Sequence, residues 1–433
     1  MASPSVRATV SGAGLVVVLT GLMGAVAAPD PSQNAGGVGI FPANTPAARV
    51  VEDGPSIAST RNNRHIAPLS MPAALLAEAQ ALEKASHFEE AAAGYIRAHQ
   101  SGLATRDFSV AATALRYHAL MLSRNDPQAG AEKSIALLRD ALEIDDTYDL
   151  ADNTTLDTLA LARVYLARGQ AEDQAQAASL YGDVRGAEPG EELLVVAQVG
   201  MGQAARESRG DAREALEINR AALLFYKKIK DIPRQADMWY RIGLRHIDLR
   251  QFDDARGAFQ ESERLWQTVT VGEWYGTTPT QRIERARLSS AFAELAELSM
   301  TTAPAQEQLQ EIGRRVSPSL TSGAQTWTSS FAELVQLYAF ALEGQDIRPK
   351  AAILRLRPEL GDEERVWLDF LRLDQAVVRG DPALKEISTE LASSFRGAWC
   401  HLPLFREELR HTTETLKSEG AMESAQQLER VCE

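Results

Sequence analysis

The chain has 433 residues, of which 45% are hydrophobic, 6% aromatic and 24% charged, a globular composition that excludes wholesale disorder and fibrous low-complexity proteins. The 59 acidic and 45 basic residues give a net charge of −14, so sequence-independent attraction to nucleic acid or anionic lipid is not expected to drive its function. Two cysteines are too few for a disulfide framework or a cysteine-based zinc ribbon.

The first 27 residues have the pattern of a secretory signal peptide. Residues 1–27 contain no Asp or Glu and a single early Arg7, and their apolar stretch ends in Ala25-Val26-Ala27. We therefore expect an exported protein, periplasmic or secreted, cleaved after Ala27. The alternative is an uncleaved membrane anchor over residues 12–28, a length of about 17 residues at the short end for spanning a bilayer. We expect membrane contact only through this segment.

A linker is predicted to follow the signal peptide. Residues 28–70 contain six prolines and four glycines and show no hydrophobic periodicity. Such a composition is typical of a flexible, partly extended tether.

The remainder of the chain is predicted to be helical. Ala, Leu, Glu, Gln and Arg dominate it, and apolar residues recur at intervals of three and four, as in the stripe Phe331, Leu334, Val335, Tyr338 and Leu342. This spacing places the apolar side chains on one face of an α-helix.

A repeated pattern of large and small residues organises the first part of this helical region. Its clearest unit runs over residues 237–266 and contains Trp239, Ile242, Gly243, His246, Ala255, Phe259 and Ser262. This unit resembles the tetratricopeptide repeat (TPR), in which small residues such as Gly243 and Ala255 let paired helices approach closely. Small residues at equivalent places are Ala91, Ser134, Ala177, Ala215 and Ala255, in steps of 43, 43, 38 and 40 residues. Since the standard TPR period is about 34 residues, these are stretched TPR-like units.

The resemblance implies an all-α, right-handed α-solenoid of TPR-like helix pairs over residues 71–270. Residues 271–433 are interpreted as a C-terminal helical extension of degenerate repeats or a cap, and a separate non-solenoid helical domain is the alternative. The helices predicted in this extension are 281–300, 303–315, 328–343, 347–358, 362–379, 382–395, 403–418 and 421–431.

A partner groove is implied by the same resemblance, because TPR partners usually lie along the first helix of each pair. The residues expected to line it are Leu76, Gln80, Leu159, Arg163, Tyr240, Leu244 and Ile247. Most of these residues are apolar and two are polar. Such a surface favours a helix or strand of a protein partner over a carboxylate-terminated peptide. For Tyr240, Leu244 and Ile247, the alternative is internal packing against the next repeat.

No motif in the sequence predicts catalysis, a bound metal or a cofactor. The seven histidines form no H-E-x-x-H or similar pattern, and no G-x-S-x-G elbow or glycine-rich phosphate loop is present. His246 is expected to pack between helices. The acidic pairs Asp145-Asp146, Asp253-Asp254 and Glu363-Glu364 are predicted to be solvated helix edges or caps.

Cys400 and Cys432 are a possible disulfide pair. Gly420 is predicted to join two antiparallel helices, which brings residue 432 back beside residue 400, and an oxidising compartment would favour the bond. The alternative is two unpaired thiols.

The sequence thus predicts an exported, non-catalytic scaffold or adaptor that binds a protein partner in an envelope or secreted assembly, without nucleic acid. A solenoid that carries or senses a small molecule or glycan is the alternative function. Self-association is compatible with the first function, and Leu428 and Val431 of the last helix are candidate exposed apolar residues for it.

Overall fold

The computed structural model describes residues 70–432 apart from 86, 126–128, 171, 188, 271–277, 301–305, 321–326 and 358–359. The predicted signal peptide, residues 1–27, and all of the predicted linker except Ser70 lie outside the described residues.

The described part of the chain forms eighteen α-helices and two short 3₁₀ helices, and no strand. The α-helices are Met71–Lys84 (α1), Phe88–Thr105 (α2), Phe108–Asn125 (α3), Ala131–Thr147 (α4), Ala151–Arg168 (α5), Asp173–Gly186 (α6), Glu191–Arg209 (α7), Ala212–Lys228 (α8), Ile232–Asp248 (α9), Phe252–Trp266 (α10), Pro279–Leu298 (α11), Gln306–Leu320 (α12), Trp327–Leu342 (α13), Arg348–Arg355 (α14), Asp362–Arg379 (α15), Leu384–Ser394 (α16), Pro403–Ser418 (α17) and Met422–Glu429 (α18). The predicted all-α fold of TPR-like helix pairs is confirmed.

Local sequence signals explain several helix boundaries. Ser70 caps α1, and Thr278 forms a capping box with Gln281 at the start of α11. Helix α15 ends at Gly380, which adopts the left-handed conformation that suits glycine. Helices α15 and α17 begin and end at the residues predicted for them.

Close helix packing accounts for the small residues of the repeat. A Cβ atom on Gly243 of α9 would lie 2.5 Å from the ring of Phe259 on α10, a distance that real Cβ contacts do not reach. Ala255 is fully buried in the same hairpin. The steric role predicted for these positions is confirmed.

Each helix packs against the next one in the chain from α1 to α11, and the odd-numbered helices α1 to α7 also contact one another in sequence. Ion pairs join successive odd-numbered helices: Glu83–Arg124, Arg116–Asp157, Glu192–Arg234, Arg206–Asp248 and Asp237–Arg282. Their partners are 41–45 residues apart, close to the repeat steps read from the sequence. Ion pairs of this separation therefore join α1 to α3, α3 to α5, α7 to α9 twice, and α9 to α11. The handedness of the superhelix stays a prediction.

The C-terminal helices continue the stack and then fold back on it. One hydrophobic core extends from Tyr240 and Leu244 on α9 to Leu428 on α18. Helix α17 contacts α9, and the 3₁₀ helix Gly397–His401, called the strap below, contacts α7. Residues 278–432 thus share a hydrophobic core with α9 and contact both α7 and α9.

Candidate functional site

Most of the residues predicted to line a partner groove are buried. Leu76, Leu159, Tyr240, Leu244 and Ile247 have at most 4% of their surface exposed, so their prediction as open groove residues is wrong. Leu76 packs between α1, α2 and α3, and Leu159 packs in the core shared by α3 to α7. For the three residues of α9, the reason is the C-terminal fold-back, because α9 supplies one side of the large core.

Gln80 and Arg163, the other two predicted groove residues, are half-buried and keep part of their surface accessible. They lie on α1 and α5 and are the polar members of the predicted set. The structure therefore does not bring the seven residues together as one open surface.

Tyr240 is held by polar contacts inside the core. Its hydroxyl lies 3.1 Å from the hydroxyl of Ser289 and accepts a hydrogen bond of 3.1 Å from Nε of Arg285. The guanidinium of Arg285 also stacks over the rings of Tyr240 and Trp327, at 4.9 and 5.0 Å from their centroids. Burial raises the pKa of the Tyr240 hydroxyl, against the opposing effect of Arg285. Tyr240 is thus a structural residue that joins α9 to α11 and α13.

A buried cluster of charged residues joins the C-terminal helices to the repeats. The guanidinium of Arg206 on α7 lies 3.2 Å from Asp248 of α9, 2.6 Å from Glu363 of α15 and 2.8 Å from Glu207, and Arg206 itself is completely buried. Burial disfavours its charge, but Asp248, Glu363 and Glu207 together raise the pKa of Arg206 above its usual value. Arg206 is therefore charged at all ordinary pH values.

The acidic pair Glu363-Glu364 is buried, so its prediction as a solvated helix edge is wrong. Both residues lie in the first turn of α15, which packs into the molecule as part of the C-terminal cover. Burial, reinforced by the neighbouring charge of Glu363, raises the pKa of Glu364 to about 7. The indole N–H of Trp327 donates a 3.3 Å hydrogen bond to one carboxyl oxygen of Glu364.

Asp145 is also buried, contrary to its prediction as a solvated residue, whereas Asp146, Asp253 and Asp254 are exposed as predicted. Asp145 lies beside Asp157 of α5, and burial raises the pKa of both carboxyl groups. The guanidinium of Arg116 on α3 donates a 2.8 Å hydrogen bond to Asp157. Both carboxyl groups are buried, and Asp157 is bonded to Arg116. The three residues therefore tie α3, α4 and α5 together and offer no accessible acid or base.

An open groove lies between α2 and α4, on a part of the repeat that no sequence motif singled out. It has a volume of about 400 Å³, and its apolar and aromatic walls are His99, Leu103, Leu115, Ile144 and Tyr148. The imidazole Nδ1 of His99 lies 3.1 Å from the carbonyl oxygen of Ala111, and the Tyr148 ring stacks on that of Phe108. Leu103 and Tyr148 are 41% and 44% exposed, which is high for large apolar side chains.

Asp140 and Glu143 line one side of this groove, and further acidic residues follow them in the chain. Asp140, Glu143, Asp146, Asp149 and Asp152 are all exposed, and residues 140–152 contain no Lys or Arg. None of the five forms an ion pair within the part of the chain that the structure describes. The presence of acidic residues without any Lys or Arg in residues 140–152 is the sequence feature that could have indicated this surface. We call the surface the acidic groove.

The structure pairs Cys400 with Cys432 in a disulfide, with 5.6 Å between their Cα atoms, so the predicted bond is confirmed. It joins the strap to the 3₁₀ helix Arg430–Cys432 at the end of the chain. Leu428 is completely buried in the large core and Val431 is half-buried against it. The suggestion that these two residues form an exposed self-association surface is therefore wrong.

Within the described ranges, no group of three or more His, Cys, Asp or Glu residues is placed to hold a metal ion. Among the helices described, none combines the length and apolar character needed to cross a membrane.

No protein-family model and no curated protein sequence matches this chain. Among solved structures, it is similar to the crystal structure of a Rap protein complexed with competence and sporulation factor. The superposition covers 83% of this chain and 96% of that chain, with a TM-score of 0.49 and 14% sequence identity. A match at this level says nothing about which partner this chain binds.

Proposed function

We propose that this protein is a non-catalytic helical-repeat scaffold that binds a protein partner through the acidic groove. The supporting observation is the combination of exposed Leu103 and Tyr148 with five exposed carboxylates that have no ion-pair partner among the described residues. Apolar side chains placed beside unpaired charges of one sign favour a partner with the complementary pattern.

The occupant that fits is a cationic amphipathic segment of the partner. One large apolar side chain would fit within the volume of about 400 Å³ and pack against Leu103, Ile144 and Tyr148. Lys or Arg residues on either side of it would reach Asp140 and Glu143 at the rim. The apolar anchor supplies affinity, and the charges supply orientation and a faster encounter.

Selection of binders from a random peptide library on the purified full chain tests this proposal. Enriched peptides should combine one large apolar residue with flanking Lys or Arg. A fluorescein-labelled representative should bind with an affinity that falls as salt is added, because exposed charges are screened. Fluorescence anisotropy measures both the affinity and its salt dependence.

Two double variants locate the binding. Asp140→Asn with Glu143→Gln should weaken the labelled peptide roughly tenfold, since charge pairs at an interface orient and hold the partner. Glu386→Gln with Glu419→Gln is the matched control, because both residues are exposed and lie outside the groove. Equal binding by the two double variants would show that the partner surface is elsewhere.

We also propose that the protein works outside the cytoplasm. The signal-peptide pattern of residues 1–27 and the bond between Cys400 and Cys432 support this, because structural disulfides persist in oxidising compartments. N-terminal sequencing of the protein recovered from host cells tests it. A chain that starts after Ala27 is expected, and recovery of uncleaved protein from the cytoplasm would contradict export.

A further inference from the structure

A second cavity lies between the repeats and the C-terminal cover. It has a volume of about 450 Å³ and is bounded by the turn from α7 to α8 on one side and by the strap and the start of α17 on the other. Its ionisable lining residues are Arg209, Asp211, Arg213, His401 and Arg406. Three arginines against one aspartate make it locally positive in a chain whose net charge is −14.

Two of the three arginines are free to bind a ligand. The side chains of Arg213 and Arg406 are exposed and make no ion pair or side-chain hydrogen bond among the described residues. The charge of Arg406 acts on the neighbouring Glu407 without a direct contact. Arg209 is paired with Glu214 at 2.7 Å. The carboxylate of Asp211 is occupied as the N-cap of α8, where it accepts a 3.0 Å hydrogen bond from the backbone N–H of Glu214.

The start of α17 adds to the positive character. This helix has 16 residues and begins with Pro403, and no side chain caps its first turn. The first turn of a helix lies at the positive end of the helix dipole. Pro403, the first residue of this helix, lines the same cavity as Arg406, so the positive end of the dipole lies at the cavity wall.

The two walls of the cavity are held firmly together. Gly210 lies in the turn between α7 and α8, and a Cβ atom there would be 2.5 Å from the carbonyl oxygen of Ala398 in the strap. The strap backbone therefore packs directly on the turn, and the disulfide of Cys400 anchors the strap to the end of the chain. The arginines are thus presented from a rigid frame.

We propose that this cavity binds a phosphate-type oxyanion, either free or as a monoester. Arg213 from the repeats and Arg406 from the cover approach it from different elements, and His401 lies beside them. A tetrahedral anion presents oxygen atoms in several directions and can accept from both guanidinium groups at once. Because one arginine belongs to each wall, the bound anion holds the cover on the repeats.

Isothermal titration calorimetry of the full chain with inorganic phosphate and with phenyl phosphate, at constant ionic strength, tests the proposal. Saturable binding is expected, and the tighter of the two ligands shows whether the site prefers the free anion or the monoester. Arg213→Gln with Arg406→Gln should weaken binding at least about tenfold, because charge-assisted hydrogen bonds are the strong ones. Lys133→Gln with Arg185→Gln changes the net charge equally at exposed positions outside the cavity and should leave affinity unchanged.

A variant with the opposite expected effect guards against loss of binding through misfolding. Glu214→Gln releases Arg209 from its ion pair and should tighten binding severalfold, since a third guanidinium becomes free. The proposal is overturned if neither anion binds with a Kd tighter than about 1 mM. It is equally overturned if the arginine double variant binds as well as its control.

Discussion

Replacing Glu364 with glutamine should stabilise the protein above neutral pH. Burial raises the pKa of this carboxyl group from its ordinary 4.5 to about 7 in the folded state. Between these two pH values the folded chain holds a proton that the unfolded chain has lost, so stability falls as pH rises through this window and levels off above it. A difference of about 2.5 pH units corresponds to about 3 kcal/mol. Glutamine keeps the acceptor oxygen for Trp327 and never ionises.

Urea unfolding of the wild type and Glu364→Gln at pH 5 and pH 8 measures this effect. The variant should be more stable by about 3 kcal/mol at pH 8 and by about 1 kcal/mol at pH 5. Glu386→Gln, an exposed acid on α16, is the control and should change stability little at either pH. A stability difference between Glu364→Gln and the wild type that does not vary with pH would refute the assignment of an ionisable buried carboxyl group.

Two further variants test the fold-back of the C-terminal helices. Arg206→Ala leaves Asp248 and Glu363 buried without their cation. The free energy of unfolding in urea should fall by about 3–5 kcal/mol. A loss below about 1 kcal/mol would mean that water replaces the arginine. Removing the disulfide with Cys400→Ser plus Cys432→Ser opens a loop of 32 residues and should cost about 3–4 kcal/mol. For the disulfide, the same loss should follow when the wild type is reduced, and unchanged stability on reduction would contradict the role of the bond.

The helices could be predicted because their signals are local. Helix α15 begins after Gly361 and ends before Gly380, and its apolar spacing lies entirely within those limits. The close contact of Gly243 with Phe259 was likewise readable from one repeat unit, since both residues belong to the same hairpin.

The burial of Glu363 could not be predicted from its neighbours, because its cation, Arg206, is 157 residues away. Two adjacent glutamates at a helix start read as a solvated first turn unless the covering helix is known. Tyr240 shows the same limit, since helical spacing indicates which face it lies on but not whether α11 and α13 cover that face. The acidic groove combines a visible run of acids with apolar residues from α2, and only the fold brings those two together.

The hydrophobic core is divided unequally along the chain, and this limits where helix pairs can be added or lost. Helices α1 to α6 pack in small clusters that involve only nearby helices, whereas α9 to α18 share one continuous core closed by Arg206 and the strap. A whole helix pair added or lost among α1 to α6 would leave that closed core intact. The same change after α7 would move Arg206 away from Glu363 and misalign the strap with Gly210. Natural variation in repeat number should therefore accumulate at the N-terminal end of the array, with a constant number of helices after α7.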